Sequence, residues 1–452
     1  MSEQREENKM GYIPVNKLLI GMSLPMMASM LVQALYNIVD SIFISRVSEN
    51  ALTAVSMAFP LQMLVISIAG GTGVGINAIL SKSLGEKEYD KVNKTAENGI
   101  FIFVISYIVF MIVGILAVKP FYLGQTSDPE IIMHGVNYLS IVMICSFGMF
   151  AQFLFERLLT STGRTFLTMI TQGVGALINI ILDPIFIFGL FGVPRLEASG
   201  AAVATVIGQC VAGTLALIFN ITKNPDIKMN MKKFKPDGKL IGTIYKIGIP
   251  AIIMQSIGSV MTYTMNRVLI TFSSTAVAVF GVYFKLQSFI FMPVFGLNNG
   301  LIPIVAYNFG ANKKDRMMKA WKLSGIYALA IMLVGMAAFE FIPGYLFGFF
   351  NASDTMLSIG VPALRIIGIH FPIAAVCIVT GSMFQALGKS TYSMVISVMR
   401  QLVVLIPAAY LLSLLGDVTY VWWSFPIAEI MSAAVTAFFF KRLHDKIINK
   451  MD

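Results

Sequence analysis

Charge is scarce in this chain. Only 12% of its 452 residues are Asp, Glu, Lys or Arg, about half the share usual in soluble domains. Hydrophobic residues make up 57% and the mean hydropathy is +0.78, so an ordinary soluble globule is excluded. Cysteine is scarcer still. Cys145, Cys210 and Cys377 are odd in number and far apart, which excludes a disulfide framework and a thiolate metal centre and leaves three small, buried apolar residues. The three histidines, His134, His370 and His444, are scattered. With no H-E-x-x-H and no G-x-S-x-G, there is no metal-ligating or nucleophilic constellation. No catalytic residue, metal or cofactor is expected, and the chain does not read as an enzyme.

What is present is a series of long apolar runs. A spanning helix needs roughly 20 mostly apolar residues, and twelve such segments lie between the polar breaks. They fall near 15–46, 51–80, 95–117, 133–160, 166–190, 198–220, 240–271, 276–305, 322–346, 357–386, 391–414 and 418–441. The expected class is an all-α integral membrane protein of twelve transmembrane helices. Before them, MSEQREENKMGYIPVNK is polar and mixed in charge, and the run that follows is too long for a signal-peptide core.

Lysine and arginine mark the cytoplasmic side of short loops. The loops after even-numbered spans carry Lys82, Lys87, Lys91 and Lys94, then Lys228, Lys232, Lys235 and Lys239, then Lys313, Lys314, Arg316 and Lys319. Both termini are therefore expected in the cytoplasm. This bias accounts for the formal net charge of +10 without a nucleic-acid partner, and the same lysines are expected to meet anionic lipid heads.

An internal repeat organises the spans. Pro25 and Pro250, Gln62 and Gln287, Gly71 and Gly296, Gly75 and Gly300, Gly85 and Gly310, Asp90 and Asp315, and Gly163 and Gly388 are all 225 residues apart with no insertion, the mark of a duplicated unit. Six spans separate the copies, so both halves share one orientation. Two six-helix lobes related by a pseudo-twofold axis along the membrane normal are expected: an N-lobe at 1–220, a basic cytoplasmic linker at 221–239 and a C-lobe at 240–452. GSMFQALGKST resembles a phosphate-binding loop, but Met383 stands where a glycine is required and no strand precedes it. Its repeat partner TSTGRT makes it a structural turn.

A carboxylate deep in a span costs roughly 2.5–3.5 kcal/mol on insertion scales and needs a reason to be there. Asp40 lies in QALYNIVDSIFIS with Tyr36 one turn earlier, and Asp183 lies in ALINIILDPIFIFG with Asn179 one turn earlier and Pro184 next to it. The proline frees a carbonyl in the preceding turn. The repeat serves as a control. Asp40, Asp183 and Asn179 correspond to Met265, Ala408 and Val404, and no Asp or Glu occurs between Asp237 and Asp315, so the acids belong to one lobe. Desolvation favours the neutral form of a carboxylic acid, which makes either one an expected proton carrier. The bland alternative is that they hydrogen-bond across the lobe and hold helices together. Tyr138 is a further candidate for this cluster. Lys285 is a possible cationic counterpart in the second lobe or a snorkelling side chain. Glu156 with Arg157, and Arg400 with Glu429, read as structural pairs, and His370 as a satisfied core histidine.

The opening SLPMMASMLVQALYNIVDSIFISRV, the segment NIILDPIFIFG and the turns QALGKS and TSTGRT resemble the multidrug and toxic compound extrusion (MATE) family over essentially the whole chain. Acids in the first lobe resemble its DinF-like branch; the seventh- and eighth-helix acids of the NorM-like branch are missing. The resemblance implies outward transport of cationic or amphipathic drugs by alternating access, coupled to inward protons or Na+. It implies a cation site at Asp40, Tyr36, Asn179 and Asp183 with Tyr138 nearby, and a hinge in the first helix at Pro25. A monomer in the cytoplasmic membrane of a bacterium is expected. The rivals are a flippase for lipid-linked saccharides and an uncoupled pore or scaffold.

Overall fold

A computed structural model describes residues 7–350 and 352–451; the first six residues of the polar amino-terminal segment lie outside them. Among the described residues the structure is all-helical. The principal helices are α1 (Val15–Ser45), α2 (Glu49–Gly85), α3 (Tyr89–Leu116), α4 (Pro129–Ile144), α5 (Phe147–Ser161), α6 (Thr165–Phe188) and α7 (Ala198–Lys223). The second series is α8 (Gly238–Leu269), α9 (Ser274–Gly310), α10 (Lys314–Phe341), α11 (Asp354–Gly368), α12 (Phe371–Ala386), α13 (Ser390–Ser413) and α14 (Ser424–Lys446). Among the described residues, ten helices are long and apolar enough to cross a membrane alone. The pairs α4 with α5 and α11 with α12 make two more as spans bent by 45° and 50°.

The repeat is visible residue by residue. Helix α9 lies 225 residues after α2 and α10 lies 225 after α3, at both ends of each. Ser48 and Ser273 both cap their helices: each hydroxyl accepts the N–H three residues on, at 3.0 Å. Such a cap answers one of the orphan donors at a helix start. Asp128 and Ser353, again 225 apart, cap α4 and α11. Gly163 and Gly388 have φ of +83° and +72°, a left-handed conformation that glycine adopts without penalty, so both stretches are turns as the sequence indicates.

Spans four and ten, expected to be continuous, are broken. Pro372 has no N–H and its ring crowds the carbonyl four residues back, which ends α11 at Gly368. No proline stands at the first break. There Gly148 lies against Cys210, and a Cβ on it would stand 2.5 Å from that sulfur. Helix α13 also departs from regularity, passing through a π-helical stretch at Met399–Leu405.

The chain forms two compact units, and they divide it elsewhere than the lobe limits read from sequence. The first holds Ala28–Gly248 together with Glu7 and Asn8; the second holds Lys9–Met27 and the described residues from Ile249 to Met451. Thus the first part of α1 packs with the second unit and the first part of α8 with the first unit. The change of unit falls just past Pro25 in α1 and just before Pro250 in α8. The duplicated glycines supply the reason. In the second unit a Cβ on Gly296 would meet the Met27 backbone at 2.5 Å and one on Gly300 the Ser23 backbone at 2.9 Å, while the Ser23 hydroxyl donates to the Leu297 carbonyl at 3.2 Å. In the first unit a Cβ on Gly75 would stand 2.3 Å from the Ile244 carbonyl oxygen, and one on Gly248 would stand 3.1 Å from that of Gly71. In each unit a glycine-faced second helix receives the opening turns of the other copy's first helix, because only glycine lets two backbones come so close.

Candidate functional site

The first unit gathers five of the seven sequence-chosen residues. Tyr36 and Asp40 sit one turn apart on the last third of α1, both half-buried. Asn179 and Asp183 sit one turn apart on the buried face of α6, with Asp183 fully shielded. Tyr138 is buried on α4. Asp40 and Asp183 lie within electrostatic reach of each other. Tyr36 lies within reach of both, and Tyr138 within reach of Asp40. Pro25 and Lys285 belong to the second unit and take no part in this cluster. The Lys285 side chain is exposed, with its ammonium 5.8 Å from the centre of the Phe350 ring.

Local packing explains the placement of α6. Along α7 a stripe of small buried residues, Gly200, Ala204, Gly208, Ala212 and Ala216, recurs every fourth position, the spacing that lets helices meet closely in a membrane. A Cβ on Gly208 would stand 2.7 Å from the Gly175 carbonyl oxygen. That approach brings Asn179 within reach of Thr205: its amide donates to the Thr205 hydroxyl at 3.2 Å and to Asp183 Oδ1 at 3.4 Å. On the other side the Gln62 amide donates to the Tyr138 hydroxyl at 3.0 Å.

Three acceptors are left over. Asp40 Oδ1, Asp183 Oδ2 and Asn179 Oδ1 are buried without a hydrogen-bond partner among the described residues. An unsatisfied buried polar atom costs about 1–3 kcal/mol, and more when charged. Carboxylate and amide oxygens are acceptors, so each has room for a donor or for a small hard cation ligated by oxygen. A group of three or more His, Cys, Asp or Glu able to hold a metal is absent among the described residues.

The sequence reading missed Gln62 and Thr205 as partners. Gln62 was marked only by its repeat partner Gln287, and Thr205 carried no signal. Glu156 also differs from a simple ion pair. Its carboxylate is buried and accepts from Gln152 at 3.1 Å, Thr171 at 2.8 Å and Gln172 at 2.8 Å. Arg400 and Glu429 do pair, at 3.3 Å, and His370 Nδ1 meets the Ile367 carbonyl oxygen at 2.5 Å, as expected of a satisfied core histidine.

The MatE family model matches residues 25–185 and 250–411, two stretches that begin 225 residues apart like the repeat. The chain is 28% identical to multidrug export protein MepA of Staphylococcus aureus (strain MRSA252) over 442 residues, covering 96% of this chain and 95% of that one. It is 27% identical to multidrug export protein MepA of Staphylococcus haemolyticus (strain JCSC1435), over 95% of this chain and 94% of that one. In fold it is similar to a solved structure of a multidrug resistance MATE family transporter of the MOP superfamily in an outward-facing conformation. The TM-score is 0.92 at 22% identity, over 99% of this chain and 100% of that chain.

Proposed function

The chain belongs to the MatE family, and from that premise we propose that it is a secondary active multidrug exporter that carries cationic or amphipathic compounds outward in exchange for protons or Na+. The observation that carries the reading is the pair Asp40 and Asp183. These are two one-lobe acids within electrostatic reach of each other, each with a buried oxygen that lacks a partner among the described residues. When a cation neutralises them, the cluster is satisfied; when it leaves, the uncovered charge favours whichever arrangement hydrates it or covers it with a cationic cargo. A coupling ion can shift such an equilibrium only through its differential affinity for the two states, and a buried acid pair provides that difference.

In this cycle Asn179 and Tyr36 orient the acids and Tyr138 closes the cluster. Pro25 is the hinge, placed where α1 passes from one compact unit to the other. The sequence-read lobes are 1–220 and 240–452, joined by 221–239, and the cycle alternates between two states of the chain. Lys285 is proposed to tune substrate preference in the second lobe. The setting proposed is a bacterial cytoplasmic membrane with both termini cytoplasmic, a monomer among anionic lipids, needing no cofactor and doing no enzymatic chemistry. Accumulation of a cationic dye in everted membrane vesicles tests it. Uptake driven by an imposed pH or sodium gradient, and abolished by collapsing that gradient, is the expected result. Dye uptake indifferent to both gradients would turn the reading toward an uncoupled pore, and no dye uptake toward a lipid-linked saccharide flippase.

A further inference from the structure

Three side chains that can exchange protons stand one turn apart on α4 and lead from solvent toward the acid cluster. Glu130, His134 and Tyr138 recur every fourth residue, so they share one face of the helix. Exposure falls along the line: the Glu130 side chain is 48% exposed and that of His134 is 8%, while Tyr138 is buried. Past Tyr138 comes Asp40, within its electrostatic reach.

A second carboxylate joins from another element. Glu197, in the turn before α7, presents Oε2 to His134 Nε2 at 3.7 Å, and Glu130 presents Oε1 to the same nitrogen at 3.7 Å. Each carboxylate is held by its other oxygen: Glu130 Oε2 accepts from the Asn50 amide at 2.6 Å, and Glu197 Oε1 pairs with Arg195 at 3.3 Å. The distances to His134 suit an ion pair and exceed a hydrogen bond, so the contact is made when the ring is charged. Tyr122 is the other titratable group at hand, packed on Gly135; its hydroxyl donates to the Ala54 carbonyl at 2.7 Å and is engaged there. The repeat again acts as a control. Glu130, His134, Tyr138 and Glu197 correspond to Thr355, Ile359, Ala363 and Trp422, so the line is confined to the copy that holds Asp40 and Asp183 and is no consequence of duplicated architecture.

We infer that His134, with Glu130 and Glu197 beside it, is the entrance through which the coupling proton reaches Asp40 from the external side. The start of α4 follows the third span, opposite the basic loops that mark the cytoplasmic face. The proton is taken up on the imidazole, a group that gains and loses one in the physiological range, and is held there between the two carboxylates. It then passes inward, past the Tyr138 hydroxyl one turn on, to the Asp40 carboxylate. One proton moves, and His134 returns to its neutral form. The inference rests on the exporter reading and narrows its coupling ion to the proton, because a charged imidazolium on the route repels Na+.

Everted membrane vesicles carrying the full chain test it, with a pH indicator trapped in the lumen, which faces the external side of the protein. The measurement is the initial rate of luminal alkalinisation when a cationic drug is added in sodium-free buffer. His134→Gln should slow it about tenfold at a luminal pH of about 7.5 and only about twofold at about 5.5, where free protons are about a hundredfold more abundant and need no collecting side chain. Because His134 is buried and its replacement can disturb folding, the second variant joins Glu130→Gln with Glu197→Gln at two half-exposed positions. It should show the same trend, with a slowing of about threefold near neutrality. Rates equal to wild type at every luminal pH overturn the inference. So does a loss by one constant factor at all of them, since a purely structural defect does not follow luminal pH. Wild type that exports the drug on a sodium gradient alone also overturns it and leaves the exporter reading standing. No export under either gradient sinks the exporter reading and the inference with it.

Discussion

Gly208→Ala should disable coupling by separating two helices that glycine holds together. The new Cβ would stand 2.7 Å from the Gly175 carbonyl oxygen and 3.4 Å from the Asn179 Cβ. Relief to an ordinary contact near 3.4 Å requires α6 and α7 to part by about 0.7 Å. The bond from Asn179 to Thr205 is already 3.2 Å long, so the same movement takes it beyond hydrogen-bond reach and loosens the residue that also donates to Asp183. Overpacking of this kind costs about 1–3 kcal/mol, and the lost neutral hydrogen bond about 1 kcal/mol. At about 1.4 kcal/mol per factor of ten, coupled export should fall roughly thirtyfold to several-hundredfold. The assay is gradient-driven dye export in vesicles beside thermal unfolding of the purified protein. Gly173→Ala is the control: it makes the same change on α6 where nothing lies within 4 Å of the added atom, and replacing an interior helix glycine should leave stability unchanged or raise it by about 0.5–1 kcal/mol. Wild-type export and an unchanged unfolding temperature for Gly208→Ala would refute the packing argument.

Other changes have equally definite outcomes. Asp40→Asn and Asp183→Asn should each abolish coupled export while membrane abundance stays near wild type, since an amide of the same shape removes a buried charge without leaving a cavity; retained export in either shows that its acid is structural. Ser48→Ala and Ser273→Ala should cost similar amounts, about 1 kcal/mol each, read as matched drops in unfolding temperature, and a large inequality would contradict equivalent caps. Asp417, exposed at the start of the short helix Val418–Trp422, accepts from the Thr419 N–H at 2.7 Å, and that bond holds its carboxyl below the usual carboxylate range. A lowered folded-state value means that its stabilisation is present above the unfolded value and is lost as pH falls through the folded one. The unfolding-temperature gap between wild type and Asp417→Ala should therefore close on strong acidification, and a gap that widens there reverses the sign. Lys285→Ala should alter the ranking of exported dyes more than their gradient dependence; an unaltered ranking removes Lys285 from substrate choice.

Much of this was legible in the chain itself, and the reasons are local. Spans are set by length and hydropathy alone, so their number could be read off. Asp40 and Asp183 stood out because a carboxylate in a span is costly and because the repeat shows apolar residues at the matching positions. Their hydrogen-bond partners were not legible. Thr205 meets Asn179 only because Gly208 lets α7 approach Gly175 on α6, a fact about two helices and not about either segment. The break after Ile144 has no proline to announce it, while the equivalent break before Pro372 does. The exchange of opening turns between the two units was hidden for the same kind of reason. Gly75 and Gly300 were plainly duplicated, yet what they touch, Ile244 and Ser23, lies in the partner copy's first helix and becomes visible only once the chain is folded.

The most direct test of the central claim, that the acids of the first unit hold the coupling cation, is proton release by the purified protein in weakly buffered, sodium-free solution when a cationic drug is added. The account predicts release from wild type that is absent in Asp40→Asn and Asp183→Asn although both variants remain folded. Equal release from wild type and both variants would contradict it.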